Sequence, residues 1–134
     1  MSNSKRLGTC IGALLTAALL VGTAPAIADV VAYPKIPDGA YAVVARISAK
    51  PGKEAALREA SRQLIPAVRA EPNNLAYFLH ESREEPGRFT FYEIFATQAD
   101  FEAHVATKHV QDWFAKLPEL ADGTVQVTPL NILK

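Results

Sequence analysis

The stretch from 88 to 113 constrains the fold more than any other part of the chain, because it predicts a strand that leads directly into a helix. Thr97 and Asp100 have capping-box spacing, with Asp in place of Glu, which predicts that the helix begins here. Alternate residues of a strand share one face, and one face of the strand predicted over 88–95 carries Phe89, Phe91, Glu93 and Phe95. A carboxylate is therefore expected on an aromatic sheet face beside a helix.

Two histidines, His104 and His109, lie on this helical stretch, which is predicted to run from about 98 to 120. Imidazole titrates near neutral pH, so a histidine that faces Glu93 would form an acid/base pocket. Thr107 predicts a break between two short helices. Five residues on a continuous helix correspond to a rotation of about 140°, so the two histidines are not expected to chelate an ion. We therefore predict no metal site.

A strand and a helix are predicted in the first half of the domain. β-branched residues favour a strand over 41–47, and Lys50-Pro51-Gly52-Lys53 ends it. Pro66 is expected to kink the helix that follows or to shorten its last turn. The residues expected on the buried stripe of that helix recur at helical spacing; they are Leu57, Ala60, Ser61, Leu64 and Val68.

A hairpin and a last strand are predicted in the second half. Strands over 75–81 and 88–95 flank a polar turn. Asp122-Gly123 predicts a turn before a strand over 124–128, and Pro129 is expected where that strand exits or lies at an edge.

The resulting order is strand, helix, strand, strand, helix, strand. It predicts an α+β fold of the ferredoxin-like split βαββαβ type, with a four-stranded antiparallel sheet and both helices on one face. The other face, with Tyr92 and Ile94, would be buried if two copies packed sheet to sheet. We therefore expect a homodimer.

The N-terminus has the features of a signal peptide over 1–28. Two basic residues precede an apolar run over 11–21, and Ala26-Ile27-Ala28 provides a small-x-small cleavage pattern. We expect cleavage after Ala28 and export to the periplasm or the medium. The apolar run is too short to span a bilayer comfortably, so no stable membrane insertion is expected after cleavage.

The rest of the chain divides into a lead-in segment over 29–39 and one domain over 40–134. Cys10, the only cysteine, precedes the cleavage point, so the mature domain offers neither a disulfide nor a thiol nucleophile. The sequence contains no basic stripe and no Gly-rich phosphate loop. Nucleic acids and nucleotides are therefore not expected as partners.

Short motifs along the domain are similar to those of a known family. They are Lys50-Pro51-Gly52-Lys53, Ala70-Glu71-Pro72-Asn73-Asn74-Leu75 leading to Tyr77, Tyr92-Glu93-Ile94-Phe95, and Ala103-His104 with His109. On these residues the chain, over about 41–133, resembles the antibiotic biosynthesis monooxygenase domain family, which includes small quinol monooxygenases and an isomerase of a phosphorylated autoinducer. The resemblance implies a dimeric α+β barrel that often needs no metal, flavin or haem.

The chain departs from the family pattern at two places. Family members commonly have Trp where Phe95 stands, which bears on the shape of the pocket and the choice of substrate. They have Gly where Asn73 or Asn74 stands, and Asn also tolerates the left-handed conformation. Haem-degrading relatives need Asn and His at the places that Ala45 and approximately Phe114 occupy, so haem binding is not expected.

The resemblance implies a cofactor-independent monooxygenase that oxidises a quinol or phenol-type aromatic with O2. His104 would be the base, and Glu93 would orient or charge it. The residues expected to contact the substrate are Tyr77, Phe91, Phe95, His109 and Trp113. Structural roles stay open for these residues, since Glu93 could pair with Arg46 and the aromatic residues could be core.

Two further functions fit the same pattern. The first is a proton-transfer isomerase of a small hydroxycarbonyl, which would use the same base without O2; export argues against a phosphorylated substrate. The second is a non-catalytic module of the same fold that binds a small hydrophobic molecule outside the cytoplasm.

Overall fold

The structure, a computed structural model, describes residues 36–133. The predicted signal peptide over 1–28 and most of the lead-in segment lie outside the described residues. Within the described range no helix has the length and apolar character needed to cross a membrane. The helices and strands, in chain order, are β1 (Tyr41–Ala49), α1 (Glu54–Arg62), α2 (Leu64–Arg69), β2 (Asn74–Glu81), β3 (Arg88–Phe95), α3 (Gln98–Val105), α4 (Lys108–Phe114), α5 (Leu117–Leu120) and β4 (Ala121–Leu130).

The four strands form one open antiparallel sheet in the order β2-β3-β1-β4. This arrangement confirms the predicted ferredoxin-like α+β fold. β3 has the predicted bounds and lies at the centre, where Glu93 is paired with Val43 of β1 and with Tyr77 of β2. The central position of β3 places its carboxylate in the middle of the sheet rather than at an edge.

The hydrophobic core lies between the sheet and the helices. The aromatic face of β3 is almost fully buried, with Phe89 and Phe91 each 2% exposed and Phe95 1% exposed. Residues from the helices pack against it: Leu57, Ala60, Leu64, Val68, Trp113 and Leu117. Burial of these side chains stabilises the fold mainly through removal of apolar surface from water.

Pro66 divides the first helical stretch instead of bending its end. α1 ends at Arg62 and α2 begins at Leu64, so Pro66 lies in the first turn of α2. The proline ring clashes with the carbonyl four residues earlier, which is that of Arg62, and a helix can tolerate proline only in its first turn. The break therefore precedes the proline by one turn.

The second helical stretch breaks where the sequence predicts. Thr97 caps α3, since its Oγ1 accepts a hydrogen bond from the backbone N–H of Asp100 at 3.2 Å. Thr107 lies between α3 and α4 in an extended conformation, and its Oγ1 donates to the carbonyl of His104 at 2.7 Å. The chain consequently changes direction between the two histidines.

The last strand is longer than predicted, and the turn predicted at Asp122-Gly123 is wrong. Both residues lie within β4, where the pairing with β1 shifts register between Arg46 and Ser48. Gly123 has φ +83°, a conformation that glycine adopts without a steric penalty. Pro129 also lies within β4, which is an edge strand, so its missing N–H removes no hydrogen bond from the interior of the sheet.

An ion pair joins α1 to the β2–β3 hairpin. The Arg58 guanidinium donates two hydrogen bonds to the Glu81 carboxylate, each 2.6 Å long, and Glu81 also accepts from the backbone N–H of Gly87 at 2.9 Å. These donors, Arg58 first, lower the pKa of Glu81 from 4.5 to about 2.

Replacing Glu81 with Gln is expected to lower the melting temperature near neutral pH. The wild-type pair contributes stability above the ordinary pKa of 4.5, and the contribution is lost as the pH falls toward about 2. Melting curves recorded across this pH range should converge at the acid end. Glu84→Gln, in the same hairpin turn, is the control that should match the wild type throughout. Equal melting temperatures near neutral pH would contradict the prediction.

Candidate functional site

Glu93 lies on the helix-covered face of the sheet with 5% of its surface exposed. Its position follows from the alternation of β3, because Phe91 and Phe95 on the same face are core residues. One carboxyl oxygen, Oε2, is buried and has no hydrogen-bond partner among the described residues. A buried polar atom without a partner carries a desolvation cost, so a structure that keeps one has a functional candidate there.

A cavity lies over Glu93, between the sheet and helices α3 and α4. The centre of a water molecule can move through ≈ 50 Å³ of it. Val127 of β4 lines its rim and is 47% exposed, so the cavity opens beside this strand. Its other lining residues are mostly apolar and include Ala45, Leu64, Tyr77, Phe91, Phe101, Val105, Val110 and Trp113.

His104 projects from α3 into this cavity and is 6% exposed. Its Nδ1 lies 2.9 Å from Oε1 and 3.0 Å from Oε2 of Glu71, which follows α2 in the chain. A carboxylate only accepts hydrogen bonds, so Nδ1 carries the proton and donates it to Glu71. In the neutral ring Nε2 then bears the lone pair and can act as a base.

The free nitrogen of His104 faces Glu93 across a short gap. Nε2 lies 3.6 Å from Oε2 of Glu93, too far for a hydrogen bond. Burial, and then the charge of Glu71, raise the pKa of Glu93 to about 7. Burial also lowers the pKa of His104, against the opposing effect of the Glu71 hydrogen bond. A carboxyl group whose pKa is raised and an imidazole whose pKa is lowered therefore border the same cavity.

Glu71, and not Glu93, holds the orientation of His104. The sequence analysis did not single out Glu71 as a site residue. It lies 33 residues from His104 in the chain, and hydrogen bonds at that separation leave no periodic pattern. The one available signal was the family-like motif Ala70–Leu75, which contains Glu71.

His109 converges on the same carboxylate as His104. Its Nε2 lies 2.6 Å from Oε1 of Glu71 and 3.1 Å from Oγ1 of Thr107. The expectation that the two histidines would not chelate an ion assumed a continuous helix, but the chain breaks at Thr107 and the two rings approach the same carboxylate. One atom of each of the three side chains lies within 4.8 Å of the other two, an arrangement that could hold a metal ion.

The residues predicted to contact a substrate fall into two groups. Tyr77, Phe91 and Trp113 line the cavity together with Glu93 and His104. Phe95 packs against the His104 ring, with centroids 4.8 Å apart, but is not part of the lining. His109 is also outside the lining and contacts Glu71 instead.

Two of the lining side chains have defined polar partners or charge states. The Nε1–H of Trp113 donates to Oγ of Ser61 at 3.2 Å, and this bond fixes the indole in the wall. Burial, followed by the charges of Glu93 and Glu71, raises the pKa of the Tyr77 phenol. Tyr77 therefore stays protonated and offers a hydroxyl group rather than a base.

Comparison with known proteins gives a family match over most of the domain. The family model for antibiotic biosynthesis monooxygenase matches residues 40–116. No curated protein matches the chain.

Several solved structures are similar. SO0527 from Shewanella oneidensis is 37% identical, with 72% of this chain and 95% of that one covered and a TM-score of 0.64. Rv0793 from Mycobacterium tuberculosis is 29% identical, with 71% and 96% covered and a TM-score of 0.66. A structure described as an antibiotic biosynthesis monooxygenase is 26% identical, with 70% and 99% covered and a TM-score of 0.66.

Replacing Glu93 with Gln is expected to stabilise the protein at alkaline pH. The raised pKa means that native Glu93 resists ionisation, so the wild type loses stability as the pH rises from 4.5 to about 7. Gln keeps the shape without the charge, and the gain should reach about 3 kcal/mol above that range. Urea unfolding in a metal chelator, below and above this interval, measures the difference.

The exposed Glu102→Gln change on α3 is the matched control and should leave the unfolding free energy unchanged at every pH. A gain from Glu93→Gln that is the same at both ends of the range would contradict the assigned ionisation of Glu93.

Proposed function

The chain belongs to the antibiotic biosynthesis monooxygenase family, and on that premise we propose that it oxidises a small phenol or hydroquinone with O2. The reaction takes place in the cavity between the sheet and helices α3 and α4. It uses His104 as the base and no redox cofactor. The family includes monooxygenases that act on small molecules, and the identity of the substrate class is part of the proposal.

The observation that carries this proposal is that two buried polar atoms face each other, without a hydrogen bond, in a cavity with aromatic walls. Nε2 of His104 and Oε2 of Glu93 are 3.6 Å apart, and Oε2 has no partner among the described residues. A hydroxyl oxygen placed to one side of the line that joins them can lie about 2.8 Å from each, donate to Nε2 and contact the carboxyl oxygen. The walls of Tyr77, Phe91 and Trp113 suit a flat, apolar ring.

The chemistry requires one proton acceptor and an electron-rich substrate. His104 Nε2 takes the phenolic proton, and the hydrogen bond from Nδ1 to Glu71 stabilises the imidazolium that forms. The resulting anion reduces O2 directly. With a hydroquinone, one oxygen atom enters the ring and the other leaves as water, and the substrate supplies all four electrons as it becomes a hydroxyquinone. The apolar walls limit the access of water to the reactive intermediate.

The size of the cavity limits the substrate. The volume open to water centres is ≈ 50 Å³, less than the roughly 150 Å³ of a cavity that binds benzene, so the walls must open to admit even one aromatic ring and a fused ring system is disfavoured. Larger groups would have to extend past Val127 at the open rim. We therefore place monocyclic hydroquinones first among the candidates.

The proposed reaction takes place outside the cytoplasm. The basic residues, apolar run and Ala26-Ile27-Ala28 pattern support export with cleavage after Ala28. Diffusible quinols and phenols suit this setting better than phosphorylated substrates, which are normally kept inside the cell.

We also propose that the protein is a homodimer packed through the open face of its sheet. Val44, Phe78 and Tyr92 are paired across three neighbouring strands, so their side chains form one patch on this face. Phe78 is 49% exposed, but Ile94, expected from the sequence to need a second copy to cover it, is already buried in the single chain at 7% exposed. A second copy of the chain would cover the exposed part of this face, Phe78 included, symmetrically.

Oxygen uptake tests the function. Metal-stripped protein should consume O2 with at least one monocyclic hydroquinone, and His104→Ala should lower the rate by at least about 100-fold, the effect of losing a general base. His80→Ala, on the opposite side of β2 from Tyr77, is the histidine control and should keep the wild-type rate.

Binding is followed separately through the fluorescence of Trp113, the only tryptophan. Binding without uptake would replace the proposal with a binding module. If the protein exchanges the α-proton of a hydroxycarbonyl substrate but consumes no O2, the isomerase function replaces the monooxygenase proposal.

The assembly has its own test. Phe78→Glu places a charge at the most exposed position of the patch and is expected to convert a dimer to a monomer in sedimentation or light-scattering measurements. Leu133→Glu, at a position that is 92% exposed, is the control and should leave the mass unchanged. A wild-type protein that is monomeric at high concentration would contradict the proposed dimer.

A further inference from the structure

Glu71, His104 and His109 bring a carboxylate and two imidazoles together at the junction of α2, α3 and α4. We propose that these three side chains form a binding site for a divalent transition-metal ion of the zinc type. The ion would lie on the side of His104 away from the cavity, because Glu71 and His109 are not part of the cavity lining. This site was not expected from the sequence.

The distances between these three side chains are hydrogen-bond distances, with a proton in each position that a metal–ligand bond would replace. Glu71 Oε1 lies 2.9 Å from His104 Nδ1 and 2.6 Å from His109 Nε2, and all three ligand atoms lie within 4.8 Å of one another. Ligands bonded to a tetrahedral zinc ion are about 3.4 Å apart. An ion that replaced the two protons would lengthen both oxygen–nitrogen distances by less than about 1 Å, and the two nitrogens already lie within 4.8 Å of each other.

The exposure of the three side chains allows those shifts. His104 is held in the core at 6% exposure, whereas Glu71 is 14% and His109 31% exposed. The more exposed pair can adjust around the fixed ring, and the solvent side gives an ion a route of entry. Three protein ligands leave a fourth position for water. Two imidazoles and one carboxylate favour zinc, copper or nickel over magnesium or calcium.

The unpartnered oxygen of Glu93 independently supports an ion at this place. A histidine that ligates a metal through one nitrogen almost always donates its other N–H to a carboxylate, a backbone carbonyl or water. An ion on Nδ1 of His104 would move the ring proton to Nε2, which faces Oε2 of Glu93 at 3.6 Å. A small closure would then give that buried oxygen the donor that the described residues do not supply.

The ion and the proposed base compete for one histidine. With the ion on Nδ1, Nε2 of His104 carries a proton and cannot accept one from a phenol. Zinc should therefore inhibit oxygen uptake. This consequence rests on the proposed function, but the ion site itself does not.

Zinc binding to untagged full-length protein tests the site without any substrate. After treatment with a chelator and its removal, calorimetric titration with Zn²⁺ should give one ion per chain. His109→Ala and Glu71→Gln should each weaken the affinity at least about tenfold, since each removes a strong ligand. His80→Ala, the strand histidine outside the cluster, should bind like the wild type.

The imidazole nitrogens provide a direct spectroscopic check. In ¹⁵N spectra, zinc should shift Nδ1 of His104 and Nε2 of His109 and leave His80 unchanged. Thermal melts confirm that each variant is folded, and His109→Gln replaces His109→Ala if it is not. Absence of a stoichiometric ion, or binding that the His109 and Glu71 variants leave unchanged, would overturn the site. Failure of oxygen uptake alone would leave it intact.

Discussion

Burial of the aromatic face of β3 is the constraint on which the rest of the structure depends. Phe89, Phe91 and Phe95 place this face under the helices, and the alternation of the strand leaves Glu93 no other side on which to lie. Because β3 is a central strand, its register with β1 and β2 positions the neighbouring residues as well. The sheet side of the cavity, which includes Phe91 and Glu93, is thus a consequence of how the sheet buries its apolar surface.

A chain of three acidic and basic groups crosses this interior, and only one of its links is a hydrogen bond. Glu71 accepts a hydrogen bond from His104 Nδ1, whereas His104 Nε2 and Glu93 Oε2 are 3.6 Å apart and not hydrogen-bonded. A fully paired cluster would be more stable, since an unpartnered buried oxygen carries a cost. A ligand hydroxyl can contact His104 Nε2 and Glu93 Oε2 on the cavity side. On the opposite side of the His104 ring, the Glu71 carboxylate is available to the proposed ion.

Helix breaks determine which side chains can meet at this centre. The break at Thr107 turns His109 back toward Glu71, and the end of α2 delivers Glu71 to the same point. A longer, continuous helix would have separated the two histidines around its axis. The interruptions between the short helices therefore place Glu71 and His109 in the site. The opposite face of the sheet is the one through which we propose that two copies of the chain pack.

The sequence by itself determined the features that depend on neighbouring residues: the bounds and faces of β3, the cap at Thr97 and the break at Thr107. Strand alternation and side-chain capping involve residues only a few positions apart, so they can be predicted from local patterns. The tertiary structure decided the rest. The partnership of Glu71 with both histidines spans more than 30 residues, and the length of β4 depends on its pairing with β1 rather than on its own turn-like Asp122-Gly123. Neither is encoded in local spacing, because both exist only once the sheet and helices have packed together.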